Sequence, residues 1–241
     1  MSARVLVLQH LPIEHPGIFR DFLRADGISW DAVELDAGDR IPRLDRYAAL
    51  MVMGGPMDVW QEREHPWLVP EKKAIREAVV DRRMPYLGVC LGHQLLADAL
   101  GGEVGPMASP EVGVLEMELT AEGARDPLFD STPARFKCLQ WHGAEVKRPP
   151  PGAKVLARSP ACAVQAMRAG ERAYGIQYHV EITPETVPSW AGVPEYKSAL
   201  ERTLGLDGAQ RFEADVERNL AAFNLDARRL YDGFMSLLTT V

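Results

Sequence analysis

The segment PYLGVCLGHQLLADALGG, residues 85–102, constrains the fold more than any other stretch. An apolar run ends in Gly88-Val89-Cys90-Leu91-Gly92 and passes at once into a helical pattern closed by Gly101 and Gly102. A strand that turns directly into a helix needs a sheet with helices on its faces, because each element must bury its apolar side against the other. RVLVLQ near the start and ALMVMGG around residue 50 are likewise short, nearly continuous apolar runs that end in loop formers, the pattern of parallel strands buried on both faces. Between them, Ile18, Phe19, Phe22 and Leu23 predict one helical face stopped by Gly27, and SWDAVEL predicts a second strand. Leu68, Ile75, Ala78 and Val79 predict a further helix before PYLGVC.

After Gly102 the period changes. GVLEMELT alternates Leu115, Met117 and Leu119 with Glu116 and Glu118, while ARFKCLQWH and ACAVQAMRAGERAYGIQYHVE read as antiparallel strands with an Ala-Gly turn. From Pro184 the chain is helical again, with Phe212, Val216, Leu220 and Phe223 on one stripe and Asp226 as the cap of a last helix carrying Leu230, Phe234 and Leu237. The prolines at 149–151 mark a turn. One domain over 1–241 is expected, with 184–241 a helical extension packed on it.

With 241 residues and 46% hydrophobic content the chain can bury a substantial core. Its net charge of -7, without a long Lys/Arg run, points away from nucleic acid and towards a small molecule or another protein. The N-terminus enters a strand-like run without a charged leader, and nothing approaches the roughly 20 apolar residues of a membrane span. A cytoplasmic protein is expected. Cys90, Cys138 and Cys162 are widely spaced, with no CxxC pair, and fit neither a disulfide framework nor a zinc site.

GVCLG is the cysteine counterpart of the G-x-S-x-G elbow: glycines let strand and helix approach, and the helix N-terminus favours thiolate and offers backbone N–H groups to an oxyanion. On this pattern alone a reactive thiol and a packed core thiol are equally good readings of Cys90. Cys138 and Cys162, in alternating strands without such an elbow, read as core or half-buried. A thiol that attacks an amide needs a base and an orienting third group. His179 and Glu181, two apart at a strand end and hence on one face, supply both. His93, three residues into the elbow helix, reads as a residue that lines or supports the pocket, and His10, His15 and His65, beside prolines, as surface or rim residues. MGGPMDVW, residues 53–60, offers glycine-rich backbone donors at the carboxyl end of a parallel strand, where ligands of such sheets bind.

Together GGPMDVW, PYLGVCLGHQLLADALGGEV, QWHG and YGIQYHVEIT resemble, in order, the sequence blocks of the class I (triad) glutamine amidotransferases, in particular stand-alone relatives of the glutaminase domain of GMP synthase. The resemblance runs from the first strand to about residue 186. It implies a three-layer α/β/α, flavodoxin-like fold with a mostly parallel central sheet and an antiparallel extension. It also implies a catalytic triad of Cys90, His179 and Glu181, an oxyanion hole of the Gly55 and Leu91 N–H groups, and substrate contacts from Gln94 and from Gln140, Trp141, His142 and Gly143. The implied reaction passes through a γ-glutamyl thioester, releases ammonia and needs no cofactor or metal.

Val180 stands where the family very often has proline, and Ala144 where close relatives often have aspartate. No nucleotide-binding loop for an acceptor-activating reaction is visible. Ammonia would therefore pass to a separate synthetase or acceptor subunit, or the protein would act alone on glutamine or γ-glutamyl peptides. A catalytically silent regulatory subunit is disfavoured by the presence of all three triad residues. A related flavodoxin-like cysteine hydrolase would carry histidine directly after the cysteine, where Leu91 stands here.

Overall fold

The computed structural model describes residues 3–239. The first half alternates as the apolar runs require: β1 (Arg4–Gln9), α1 (Phe19–Ala25), β2 (Ser29–Glu34), β3 (Ala49–Val52), α2 (Leu68–Arg76), β4 (Tyr86–Val89) and α3 (Leu91–Ala99). A long ribbon follows, β5 (Glu103–Leu119) and β6 (Arg135–Arg148), and then β7 (Lys154–Arg158), β8 (Ala166–Ala169) and β9 (Ala173–Ile176). Two helices close the described chain, α4 (Thr186–Ala191) and α5 (Pro194–Thr239).

All the strands form one sheet in the order β2-β1-β3-β4-β9-β8-β7-β5-β6. The β2-β1-β3-β4-β9 part is parallel and the rest antiparallel. Alternate residues of the parallel strands feed two cores. Val5, Val7, Ala49, Met51, Leu87 and Val89 pack with Phe19 and Leu23 of α1 and Tyr231 and Phe234 of α5, whereas Leu6, Leu8, Leu50 and Val52 pack with Leu68 and Ile75 of α2 and Leu95 of α3. Helices on both faces of one sheet give the expected three layers.

A third cluster joins the ribbon to the C-terminal helices through Leu139, Trp141, Trp190, Tyr196, Phe212 and Phe223. The ribbon is also tied to the segment after β9, because His179 N–H donates to the Leu139 carbonyl at 2.9 Å and Leu139 N–H to that of His179 at 3.2 Å.

The expected break at Asp226 is not present. Asp226 lies inside α5, where its carboxylate accepts from Arg229 at 2.7 Å. The sequence around it has no residue that stops a helix, and the actual discontinuity is at Gly205, with φ 68° and ψ 173°. The short arm of α5 before the kink packs at the ribbon, and the longer arm after it stays on that cluster through Phe212 and Phe223 before reaching the core of the parallel sheet with Tyr231 and Phe234.

Candidate active site

Four chain segments converge at the carboxyl ends of the central strands: the loop after β1, the Gly54-Gly55 turn after β3, the elbow after β4 and the stretch after β9. The sheet order reverses beside them, since β2 lies on one side of β1 and β3 on the other. At the elbow Cys90 has φ 52° and ψ -103°, an uncommon conformation for a residue with a Cβ. The flanking glycines make it possible. A Cβ on Gly88 would come within 2.4 Å of the Gly92 carbonyl oxygen, and one on Gly92 within 2.1 Å of that of Val52. Cys90 N–H donates to the Ile176 carbonyl at 2.8 Å, which fixes the turn to β9.

The strand-end pair is in hydrogen-bond contact. His179 Nδ1 lies 2.7 Å from Glu181 Oε1, which accepts its proton and leaves Nε2 free for another partner. The Cys90 thiol is within hydrogen-bond reach of the ring. Burial by itself would lower the imidazole pKa, but the Glu181 carboxylate and Cys90 more than offset this and hold it well above its ordinary value. The second Glu181 oxygen accepts the Val180 N–H at 3.0 Å, a bond that a proline at 180 could not make.

The cleft beside the thiol has a volume of about 260 Å³, and Gly55, Leu91, Gln94, Trp141, His142 and Gly143 line it with Cys90. Gln94 donates to Gln177 at 3.1 Å and to the Ala144 carbonyl at 3.3 Å, and Gln177 donates in turn to Cys90 Sγ at 3.6 Å. Of the residues singled out from sequence, Gln140 stands apart, and His142, though it lines the cleft, has its ring Nε2 3.2 Å from the buried Glu111 carboxylate. Gln140 points to the other side of β6, where it is fully buried and donates to Gln165 at 2.8 Å. Strand alternation explains this, because Trp141 takes the opposite direction.

Two expectations about histidines change. His10 is not at the surface but fully buried, 2.7 Å from the Gly54 carbonyl and 2.8 Å from Glu71. His93 is also fully buried and stands behind the elbow, against Gly175 rather than in the cleft, and burial pushes its pKa down to about 4. His15 and His65 are half-buried. Cys138 and Cys162 are sealed in the core, and burial pushes their thiols up, that of Cys162 to about 12.

Glu14, Gln177, Trp190 and Tyr196 belong to the site and escaped the sequence reading. Only Gln177 left a signal there, since it shares with His179 and Glu181 the two-residue period of one strand face. Glu14 is buried and accepts a hydrogen bond from the Tyr196 hydroxyl. A Cβ on Gly54 would lie 2.6 Å from Glu14 Oε2 and 3.5 Å from His179 Cε1, so the two side chains converge on that glycine. Burial raises the Glu14 pKa, against the opposing pull of His179 and the Tyr196 hydroxyl. Trp190 covers the His179 ring, and Tyr196, Glu195, Ala199 and Arg202 of α5 wall the mouth of the cleft.

A larger hollow of about 540 Å³, lined by Val80, Arg83, Met84, Glu171 and Arg172 among others, lies at the amino ends of β4 and β9 and contains neither cysteine nor histidine. Among the described residues no cluster of three His, Cys, Asp or Glu side chains is placed to hold a metal, and no helix is long and apolar enough to cross a membrane.

The family model described as glutamine amidotransferase class-I matches residues 20–189. The glutamine-hydrolysing GMP synthase of Aeropyrum pernix is 42% identical over 152 residues, which cover 63% of this chain and 27% of that protein. A glutamine amidotransferase-like protein of Salmonella typhimurium is 34% identical over 190 residues, covering 76% of this chain and 78% of the relative. The crystal structure of a glutamine amidotransferase from Thermotoga maritima superposes with a TM-score of 0.86 at 28% identity and covers 100% of both chains. This chain therefore spans about a quarter of the Aeropyrum enzyme but matches the Thermotoga protein end to end.

Proposed function

The chain belongs to the class I glutamine amidotransferase family, and from that premise we propose that it hydrolyses the side-chain amide of glutamine with Cys90 as nucleophile. Cys90 Sγ attacks the amide carbon, and the oxyanion is received by the N–H groups of Gly55 and Leu91, the latter at the first position of α3. His179 gives a proton to the departing nitrogen, so that ammonia leaves and a γ-glutamyl thioester remains. Water then attacks the thioester, His179 takes its proton, and glutamate and the Cys90 thiol are released. Glu181 orients the imidazole throughout. Gln94, Trp141, His142 and Gly143 contact the substrate from the cleft wall.

The observation that supports this reading is the meeting of a strained elbow cysteine with a buried histidine–glutamate pair 2.7 Å apart, at one cleft. Incubation of the purified protein with glutamine should yield glutamate and ammonia in equal amounts. Cys90→Ala should abolish both, and an electrophilic glutamine analogue should label the Cys90 peptide. Failure of the wild-type protein to release glutamate from glutamine or any γ-glutamyl peptide would overturn the proposal.

A second reading, hydrolysis of γ-glutamyl peptides without a partner, is favoured by the wall that α5 builds around the cleft mouth. Its residues Glu195, Tyr196, Ala199 and Arg202 lie beyond the 20–189 span matched by the family model. A synthetase that received ammonia would have to dock around this wall. The ratio of kcat/KM for γ-glutamyl peptides to that for glutamine, measured on the isolated protein, decides between the readings.

A further inference from the structure

His10 follows β1 and Glu71 lies on α2, yet the two side chains meet with no solvent access to either. The ring stacks on Trp67 with centroids 5.3 Å apart and planes at 20°. Its Nε2 is 2.8 Å from Glu71 Oε1 and its Nδ1 is 2.7 Å from the Gly54 carbonyl oxygen. A carbonyl oxygen only accepts, so Nδ1 must donate. A carboxylate also only accepts, so the contact at Nε2 needs a second proton, on the ring or on Glu71.

The groups facing the ring are Glu71 from α2, the Gly54 carbonyl after β3, and Glu14 from the loop after β1. Burial lowers the imidazole pKa, and Glu71 chiefly, with Gly54 and Glu14, reverses that, so that the ring holds its proton above the ordinary value of 6.5.

The carbonyl and the N–H of one trans peptide unit point in opposite directions. With its carbonyl tied to His10, the Gly54–Gly55 unit turns the Gly55 N–H the other way, on a residue that lines the cleft with Cys90. That N–H donates to no group among the described residues. Neither Gly54 nor Gly55 carries a Cβ to restrict rotation of the peptide between them, and the His10 side chain supplies a tie that holds it. We propose that His10, anchored by Glu71, is a positioning residue that locks the Gly54–Gly55 peptide with its N–H towards the substrate oxyanion. The proposal rests on the amide-hydrolysis reading for its catalytic consequence, but not for the orientation of the peptide.

Two double variants test it. His10→Asn with Glu71→Gln places an amide N–H near the Nδ1 position and leaves no unpaired buried carboxylate. His10→Phe with Glu71→Gln keeps an aromatic ring on Trp67 but offers Gly54 no donor. The Phe variant should lose roughly 100-fold in kcat, as for removal of one oxyanion donor, with KM changed less than about threefold. The Asn variant should recover most of that loss. In protein labelled with 15N-glycine, the Gly55 amide resonance should stay near its wild-type position in the Asn variant and move or broaden in the Phe variant.

A Phe variant with wild-type kcat and an unmoved Gly55 resonance would overturn the assignment. If the Phe variant does not fold, His10→Gln with Glu71→Gln makes the same comparison, since its amide reaches the Nε2 position and not the Gly54 carbonyl. The resonance needs no turnover. A wild-type protein inert towards glutamine would end the amidase reading and still leave the Gly55 signal to decide the peptide's orientation.

Discussion

Trp190 meets the imidazole of His179 edge-on, with ring centroids 4.7 Å apart and planes at 67°. The indole is itself held by Trp141 at 5.8 Å and Tyr196 at 5.8 Å, so the proposed catalytic base sits in an aromatic box supplied largely by the C-terminal helices. Trp190→Leu keeps an apolar side chain there but removes the ring edge that limits imidazole rotation and water entry. We expect kcat for glutamine to fall about tenfold with little change in KM, because orientation rather than binding is lost. Steady-state kinetics checks this, and an unchanged kcat would reduce Trp190 to a space filler.

Glu181 supports His179 through charge as well as geometry, which fixes the sign of a pH effect. Its carboxylate is the principal cause raising the imidazole pKa against burial. In Glu181→Gln that support disappears, the imidazolium deprotonates at lower pH, and the alkaline limb of kcat/KM should move towards neutrality. The maximal rate should drop by about 10⁴-fold, as for loss of the orienting carboxylate in hydrolytic triads. Val180→Pro should be milder, about threefold in kcat, since it removes one neutral donor from Glu181 and leaves the 2.7 Å contact to His179. A pH–rate profile of each variant is the measurement.

The elbow's glycines should differ sharply from others in the chain. A Cβ on Gly92 would press on the Val52 carbonyl at 2.1 Å, backbone against backbone, whereas one on Gly105 would meet only the Lys147 side chain at 3.6 Å. Gly92→Ala should therefore cost about 3 kcal/mol or prevent folding, and Gly105→Ala less than about 1 kcal/mol. Urea denaturation of the two variants compares them, and equal stabilities would show that α3 can move away from β3 at no cost.

His93 makes acid stability testable. Its pKa is lowered from 6.5 to about 4 by burial, so the folded protein keeps the ring neutral while the unfolded chain binds a proton. The unfolded state thus takes up more protons between these values, and stability falls as the pH drops from about 6.5 to about 4. His93→Met, similar in bulk and uncharged, should lose less stability over that window than the wild type. Thermal midpoints at pH 7 and pH 4.5 provide the comparison; parallel losses would show that the acid sensitivity arises elsewhere.

What could be read from the chain divides along physical lines. The H-x-E pair was found by its two-residue spacing, although β9 ends at Ile176 and His179 joins the sheet through an isolated bridge to Leu139. The parallel strands and the elbow were legible because each is a local pattern, an unbroken apolar run or glycines around a cysteine. His10 was misjudged for the opposite reason. Proline in the following loop suggests exposure, but its partner Glu71 is 61 residues away and its environment exists only after α2 docks. Tyr196 and Glu14, separated by 182 residues, are of the same kind. Gln140 failed at a finer scale, since its block matched but the strand turned that side chain inward and gave the cleft to Trp141. Asp226 has the chemistry of a cap and sits in a stretch that never stops being helical.

The Gly205 kink gives the two ends of one helix separate duties. Before it, Tyr196 reaches Glu14 beside the nucleophile; after it, Tyr231 donates to Asp26 at 2.8 Å and Phe234 fills the core under α1. A clipped or fused C-terminus is thus a perturbation of the cleft by leverage, transmitted along a single rod with one joint. Trimming the tail from its end would loosen the anchor first and the gatepost second, so substrate selectivity should drift before the thiol itself is lost.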